Sequence, residues 1–244
     1  MLSADDIRQA LARNKASLRF QTIYSLVDDE PRQFETFIRI NRDDGSEILP
    51  ADFLPAAEQA GLMPAIDKRV LELVTQRVQS LKNKDGKRLA VNISMQSLLD
   101  KEYRDTISSD VWKSMLPYVV FEVKSREVAS NAEALKFIRK LQANGASVTI
   151  DYVNGGAAFI ELSARLGFES VKVDMLKSID HVGREKAKLR AMCRTAHICG
   201  MEIICERVET LKGVMLATEM GATMVQGYLF GMPQLETTET RMSR

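Results

Sequence analysis

SVTIDYVNGGAAFIELSARLGFESVKVDM, residues 147–175, carries the pattern on which the fold turns. Two runs rich in β-branched residues, SVTIDYV (147–153) and SVKVDM (170–175), flank a segment of helical period, FIELSARLG, that closes on glycine. Strand, helix and strand in so short a span make a βαβ unit, which brings its two strands together in parallel. The first strand ends on a single acid, Asp151, followed by Tyr152 and a Gly-Gly loop. A carboxylate delivered at the end of a buried strand is where α/β enzymes place their chemistry. Here it stands without an acidic neighbour.

The same alternation recurs on both sides. Further strand candidates are LRFQTIYSL (18–26), FETFIRI (34–40), LAVNIS (89–94), VVFEVKS (119–125), EIICERV (202–208) and MVQGYLF (224–230). Helical periods fall between them in DKRVLELVTQRVQSLK, AEALKFIRKLQANG, KAKLRAMCRTAHICG and LKGVMLATEMG, and several end on Gly, the usual helix stop. Eight strands with helices after most of them, in 244 residues, predict an α/β fold, a modified TIM (β/α)8 barrel. The connection DDEPRQ is too short for a helix and reads as a hairpin turn, so the first strand is expected to be antiparallel. The expected organisation is one barrel domain over 1–244. Its N-terminal helix, 1–16, would serve as a joint to anything upstream, and 236–244 would be a frayed polar tail.

Composition excludes several classes of function. With 34 basic and 33 acidic side chains the formal charge is +1, so no global field favours nucleic acid or an acidic membrane. No apolar run is long enough to span a bilayer, and the N-terminus is a mixed-charge amphipathic helix rather than a secretion signal. Cys193, Cys199 and Cys205, spaced by six in apolar sequence, fit neither a zinc nor a redox motif and read as reduced thiols of a cytoplasmic protein. His181 and His197 read as surface or helix residues, and Trp112 as a helix anchor.

Every predicted strand carries a polar residue in apolar context: Gln21, Glu35, Asn92, Glu122, Asp151, Lys172, Glu206 and Gln226. One such residue alone reads best as a cap or rim charge. Eight together point to a shared site in the barrel mouth, because buried polar groups are costly unless satisfied. Glu35, Asn92, Glu122 and Asp151 are hard oxygen donors suited to Mg²⁺, Mn²⁺ or Ca²⁺. Lys172 adds a compact positive charge. Arg39, on the same strand face as Glu35, can hold a phosphate with two N–H groups. Gln21 and Gln226 can read a base edge. The implied ligand is an anionic phosphate ester with something to be recognised.

These residues sit in motifs that resemble those of the EAL domains, cyclic di-GMP phosphodiesterases and their inactive relatives. FLPAAEQAGL (53–62), VNIS with Asn92 and Ser94, FEVKS, VKVD, CERVET and QGYLFGMP occur in the order of that family, from RFQTI to the C-terminal region. The resemblance implies that Glu35, Asn92, Glu122 and Asp151 match ligands of a first metal. Lys172, Glu206 and Gln226 would match residues that hold or activate water and metal, and Gln21 and Arg39 ligand contacts. Phe37 and Phe230 are candidates to stack on guanine, with plain core as the alternative, and Pro233 completes the ligand-binding set. Tyr152 stands where active members carry the acid that binds a second metal. The loop after it is Val153-Asn154-Gly155-Gly156, Ser125 replaces a glutamate that steadies that loop, the signature tripeptide is Glu35-Thr36-Phe37, and Arg207 replaces a small glycine.

Two-metal hydrolysis clamps attacking and leaving oxygens between two cations, and a phenol neutral at pH 7 is a poor Mg²⁺ ligand. The expectation is therefore a domain that is not an enzyme, with no metal cofactor, its Lys172 and Glu206 and its metal ligands vestigial. It would bind cyclic di-GMP and signal to a protein partner. Among degenerate relatives it is similar to the EAL domain of FimX-type regulators of type IV pili, which implies a PilZ-type adaptor as partner and a GGDEF-like domain upstream. Two alternatives remain open. One is an active or slow cyclic di-GMP phosphodiesterase using Mg²⁺ or Mn²⁺, which turnover in Mn²⁺ would reveal. The other is an interaction module without nucleotide, against which the retention of Gln21, Arg39 and Lys172 speaks.

Overall fold

The computed structural model describes residues 2–81, 87–124, 128–151, 156–175 and 184–235. Ser125, Tyr152, Val153, Asn154, Gly155, His181 and the tail 236–244 lie outside the described residues.

The chain begins with helix α1 (Ala4–Ala12), started by a capping box. The Ser3 hydroxyl accepts from the Asp6 N–H at 3.2 Å, and the Asp6 carboxylate accepts from the Ser3 N–H at 3.0 Å. The helix buries Ile7 and Ala10 and leaves its charged residues to solvent, as its mixed pattern predicts. Strands β1 (Ala16–Ser25) and β2 (Glu30–Asn41) then form an antiparallel hairpin. The turn is shorter than DDEPRQ suggests, because Asp29 takes a left-handed φ of 58° and Glu30 already belongs to β2. Pro31 is accommodated inside β2 beside a register shift at Ile23/Tyr24, where the ladder is already interrupted.

A two-residue strand, β3 (Glu47–Ile48), folds back on the end of β2, and α2 (Pro50–Gln59) starts with a proline in its first turn. There follow α3 (Met63–Leu81), β4 (Arg88–Ile93), the short helices α4 (Met95–Leu99), α5 (Lys101–Ile107) and α6 (Asp110–Lys113), then β5 (Val119–Lys124) and α7 (Ala132–Ala143). The chain continues through β6 (Ser147–Asp151), α8 (Gly156–Arg165), β7 (Ser170–Asp174), α9 (Arg184–Ile198), β8 (Glu202–Glu206), α10 (Leu211–Glu219) and β9 (Met224–Gln226).

The strand order β1-β9-β8-β7-β6-β5-β4-β2, closed by the β1–β2 pairing, is an eight-stranded barrel with β3 outside the ring. Pairings from β2 through β4 to β9 are parallel, and β1 is antiparallel to both neighbours. This is the modified (β/α)8 barrel that the sequence predicts. Most buried apolar residues lie between the strands and the surrounding helices. A smaller apolar cluster of Ile23, Ala90, Val120, Ile204 and Met224 is packed separately, its Ile, Val and Met side chains each contributing about 1.5–3 kcal/mol by leaving water. Trp112 is buried and anchors α6; Cys193 and Cys205 are buried free thiols. No helix of the described residues is long and apolar enough to cross a membrane.

One strand is shorter than expected. MVQGYLF ends as a strand at Gln226, and Tyr228–Phe230 form a single 3-10 turn. The chain wraps the backbone of Val208, whose N–H donates to Gln226 O at 2.9 Å while its carbonyl accepts from the Leu229 N–H at 3.3 Å. Gly227 makes this approach feasible, since a Cβ there would lie 2.1 Å from the Val208 carbonyl oxygen. Gly227→Ala should therefore lower unfolding free energy in urea by about 3 kcal/mol or more. A loss below about 1 kcal/mol would show that the loop moves aside.

Candidate functional site

The polar residue of each strand reaches the same end of the barrel because the registers align them. Gln21 pairs with Glu35 across the hairpin, Asn92 with Glu122, and Ile23 with Gln226. Lys124 pairs with Asp151, and Asp174 with Glu206. All eight strands thus deliver polar side chains to that end.

Lys172 is the centre of the arrangement. Its ammonium, 1% exposed, lies 2.8 Å from Glu35 Oε2, 2.8 Å from both oxygens of Glu122 and 3.1 Å from Glu206 Oε1. Glu35 is fixed from two further sides. Its Oε1 accepts from Asn92 Nδ2 at 3.0 Å, and its Oε2 from Gln226 Nε2 at 2.7 Å. Gln226 also donates to Gln21 Oε1 at 3.1 Å, and Gln21 Nε2 donates to the Gly231 carbonyl at 3.0 Å. The hydrogen bonds therefore run from β4 through β2 to β9 and β1.

The electrostatics follow from one ammonium serving several carboxylates. Burial and the charge of Glu35 push the Glu122 carboxyl well above its usual range, against the pull of Lys172. Burial likewise raises Glu206. Glu35 is held below the ordinary value: burial opposes its charge, but Lys172 and Gln226 outweigh that cost. Burial pulls Lys172 downward, yet Glu122, Glu35 and Glu206 together lift it well above the normal lysine value. The surroundings thus favour the charged forms of Glu35 and Lys172 and disfavour charge on Glu122 and Glu206.

The carboxylates and the Asn92 amide are the donors a hard divalent cation takes. Among the described residues, however, no three His, Cys, Asp or Glu side chains meet as a metal shell. Lys172 lies 2.8 Å from both Glu35 and Glu122 and offsets part of their charge.

Two adjoining cavities open from this cluster. The larger, about 660 Å³, is lined by Gln21, Glu35, Phe37, Arg39, Asp151, Glu206, Gln226 and Pro233 among others. The smaller, about 350 Å³, contains Asn92 and Glu122. Glu35, Phe37, Pro50 and Asp151 border both. Phe37 is partly exposed, with the Arg39 guanidinium 6.0 Å from its ring centre. Arg39 itself is nearly buried; its Nη1 donates to the Ile38 carbonyl at 3.0 Å and its Nε lies 3.9 Å from Glu47.

Eleven of the twelve ligand-binding candidates border the cluster or its cavities, Lys172 within the cluster itself. Phe230 does not. It is 2% exposed and stacks on Tyr24 with ring centres 5.3 Å apart, because the 3-10 turn folds it into the core. Tyr228, two residues earlier and exposed, lines the larger cavity. Strand alternation could not separate the two, since both sit on one face of a continuous strand. His197 is exposed near the end of α9, away from the cavity lining.

Sequence reading also missed the support behind Asn92. Asp67 of α3 is buried and accepts from the Ser94 N–H at 2.9 Å and the Ser97 hydroxyl at 2.6 Å, fixing the turn that follows β4. Burial raises its carboxyl above the usual range despite these bonds. An acid interrupting the apolar face of the α3 period was the available signal.

Glu35→Gln and Glu122→Gln should differ in cost. The first removes the ionised partner of a buried ammonium and should destabilise by about 3 kcal/mol, the second by about 1 kcal/mol, in urea unfolding at pH 6. Because Glu122 is raised, the folded protein keeps a proton that the unfolded chain has released. Wild-type stability should thus fall as pH rises from the ordinary carboxylate range through the raised value. Glu122→Gln should lessen that slope. Equal costs for the two variants, or an unchanged slope, would contradict this assignment of charge.

Comparison with known proteins shows the family and the fold. The family model described as "EAL domain" matches residues 4–233. The cyclic di-GMP phosphodiesterase PdeR of Escherichia coli is 25% identical over 234 residues, covering 93% of this chain and 35% of that protein. The chain thus spans about a third of the length of this curated relative. The FimX EAL domain of Pseudomonas aeruginosa, solved bound to c-di-GMP, superposes with a TM-score of 0.82 at 23% identity, covering 97% of this chain and 98% of that one. The S helix-GGDEF-EAL segment of Vibrio cholerae LapD, bound to c-di-GMP, gives 0.81 at 24% identity, covering 92% and 55%.

Proposed function

The chain belongs to the EAL domain family, and on that premise we propose that it is a receptor for cyclic di-GMP that does not hydrolyse it. The observation that carries this reading is the union of Gln21, Phe37, Arg39 and Gln226 in one cavity above the Lys172 cluster; the sequence adds Tyr152, next after Asp151, where the family resemblance implies an acid. The cavity falls in the size range of ligand clefts, about 300–1,000 Å³, and it combines a guanidinium, amides and an aromatic face. These groups recognise a ground state. Stabilising the transition state of phosphodiester cleavage calls for cations on both the attacking and leaving oxygens. Lys172 is the one cation within the carboxylate cluster among the described residues, and Tyr152 adds no negative charge to hold another.

In this reading binding needs no metal. Where a divalent ion does enter, Glu35, Asn92, Glu122 and Asp151 are the residues to hold it, and it would polarise a phosphoryl oxygen. We further propose, on the sequence resemblance to FimX-type regulators alone, a regulatory role in the cytoplasm with type IV pili as the output and a PilZ-type adaptor as the partner. The LapD likeness supports a GGDEF-like domain upstream in the full protein.

Calorimetric titration with cyclic di-GMP in excess EDTA should give one-to-one binding, micromolar or tighter. Arg39→Ala should weaken it tenfold or more, about 1.4 kcal/mol. Incubation with Mg²⁺ or Mn²⁺ should leave the dinucleotide intact. Release of the linear product in Mn²⁺ would establish the phosphodiesterase reading, which the activity named for PdeR favours. No binding with or without metal would leave an interaction module.

A further inference from the structure

Arg207 sits in a backbone conformation that an arginine rarely adopts. It follows the last residue of β8 with a φ of 57°, the left-handed region where glycine fits without strain. The turn after β8 needs such a residue, because Val208 must next present both its backbone groups to the loop around Gly227. Glycine would meet that need alone. Strain of this kind persists where the side chain has a task.

The side chain points to one. Arg207 lines the 660 Å³ cavity together with Arg39, Gln21 and Tyr228, and its side chain is half-exposed there. Its Nε donates to Asp174 Oδ1 at 2.9 Å while a terminal nitrogen pairs with Asp174 Oδ2. This two-pronged grip on a carboxylate has the geometry a guanidinium uses on two phosphate oxygens. Asp174, the last residue of β7, faces the same cavity, so the arginine is paired at the place where an anionic ligand would lie.

Resting on the receptor reading above, we propose that Arg207 is a second phosphate-binding arginine, which leaves Asp174 to grip one phosphodiester of the bound cyclic dinucleotide while Arg39 serves the other. Arg39 on β2 and Arg207 after β8 stand on walls of the cavity separated by β1 and β9. Two guanidinium groups match two phosphodiester charges without a divalent cation. Lys188 of α9 also faces the cavity, and its ammonium supplies charge but not the fork.

The test compares wild type with Arg207→Gly, Arg207→Lys and Asp174→Asn in cyclic di-GMP calorimetry in EDTA, alongside thermal melting. Arg207→Gly should melt at the same or a higher temperature, because glycine suits the backbone, yet bind at least fivefold more weakly. Arg207→Lys should fall between the two. Asp174→Asn, which frees the guanidinium, should bind as tightly as wild type or more so. Wild-type binding with less than a fivefold loss in Arg207→Gly would overturn the role of Arg207 and leave the receptor reading intact. Equal loss in Asp174→Asn and Arg207→Gly would mean that the pair acts as a structural unit, which also overturns it. Absence of wild-type binding, with or without Mg²⁺, would overturn the receptor reading itself and this inference with it.

Discussion

A single buried ammonium conditions the rest of this molecule. The Lys172 Nζ lies within 3.1 Å of three carboxylates from three other strands, Glu35 of β2, Glu122 of β5 and Glu206 of β8. Without it the barrel mouth would hold converging negative charges at nearly dry positions, a cost of several kcal/mol per ion. With it, Glu35 becomes a fixed acceptor that orients Asn92 and Gln226, and through Gln226 also Gln21. The shape of the site is therefore set by an internal charge balance.

That balance rests on the barrel's closure. β1 enters against the direction of the other strands and seals the ring between β2 and β9. Its Gln21 can meet Gln226 and Glu35 only because the ring is closed there. The buried apolar cluster of Ile23, Ala90, Val120, Ile204 and Met224 adds low-dielectric surroundings, in which charge interactions are stronger than in water. Behind β4, the Asp67 contacts with Ser94 and Ser97 fix the turn that follows Asn92. Polar satisfaction is propagated outward from the cluster by short, directed bonds.

The same layout separates recognition from chemistry. Phe37, Arg39, Gln21 and the Arg207–Asp174 pair line the open cavity, while Lys172, Glu35 and Glu122 lie at its base. Asp151, the last residue of β6, borders both cavities and so belongs to the cluster and to the open space above it.

Much of this was legible in the chain itself. The βα alternation is a local signal, carried by β-branched runs and helical periods, and it indicated the barrel; the short DDEPRQ connection indicated the antiparallel first strand, and the polar residue on each strand a shared site in the barrel mouth. Glu35, Asn92, Glu122, Asp151 and Lys172 stood out because each interrupts an apolar strand, and such interruptions are tolerated only where partners exist. What no local pattern could supply was the pairing. That Lys172 sits between Glu35 and Glu122, 137 and 50 residues away, depends on strand register around a closed ring. The burial of Phe230 against Tyr24 depends on the chain's passage over Val208, and so does the exposure of Tyr228. The placement of Arg207 beside Asp174 needs a left-handed turn at the end of β8 and the parallel pairing of Asp174 with Glu206. Periodicity determines which face a residue takes, and only the three-dimensional register decides which residue it meets.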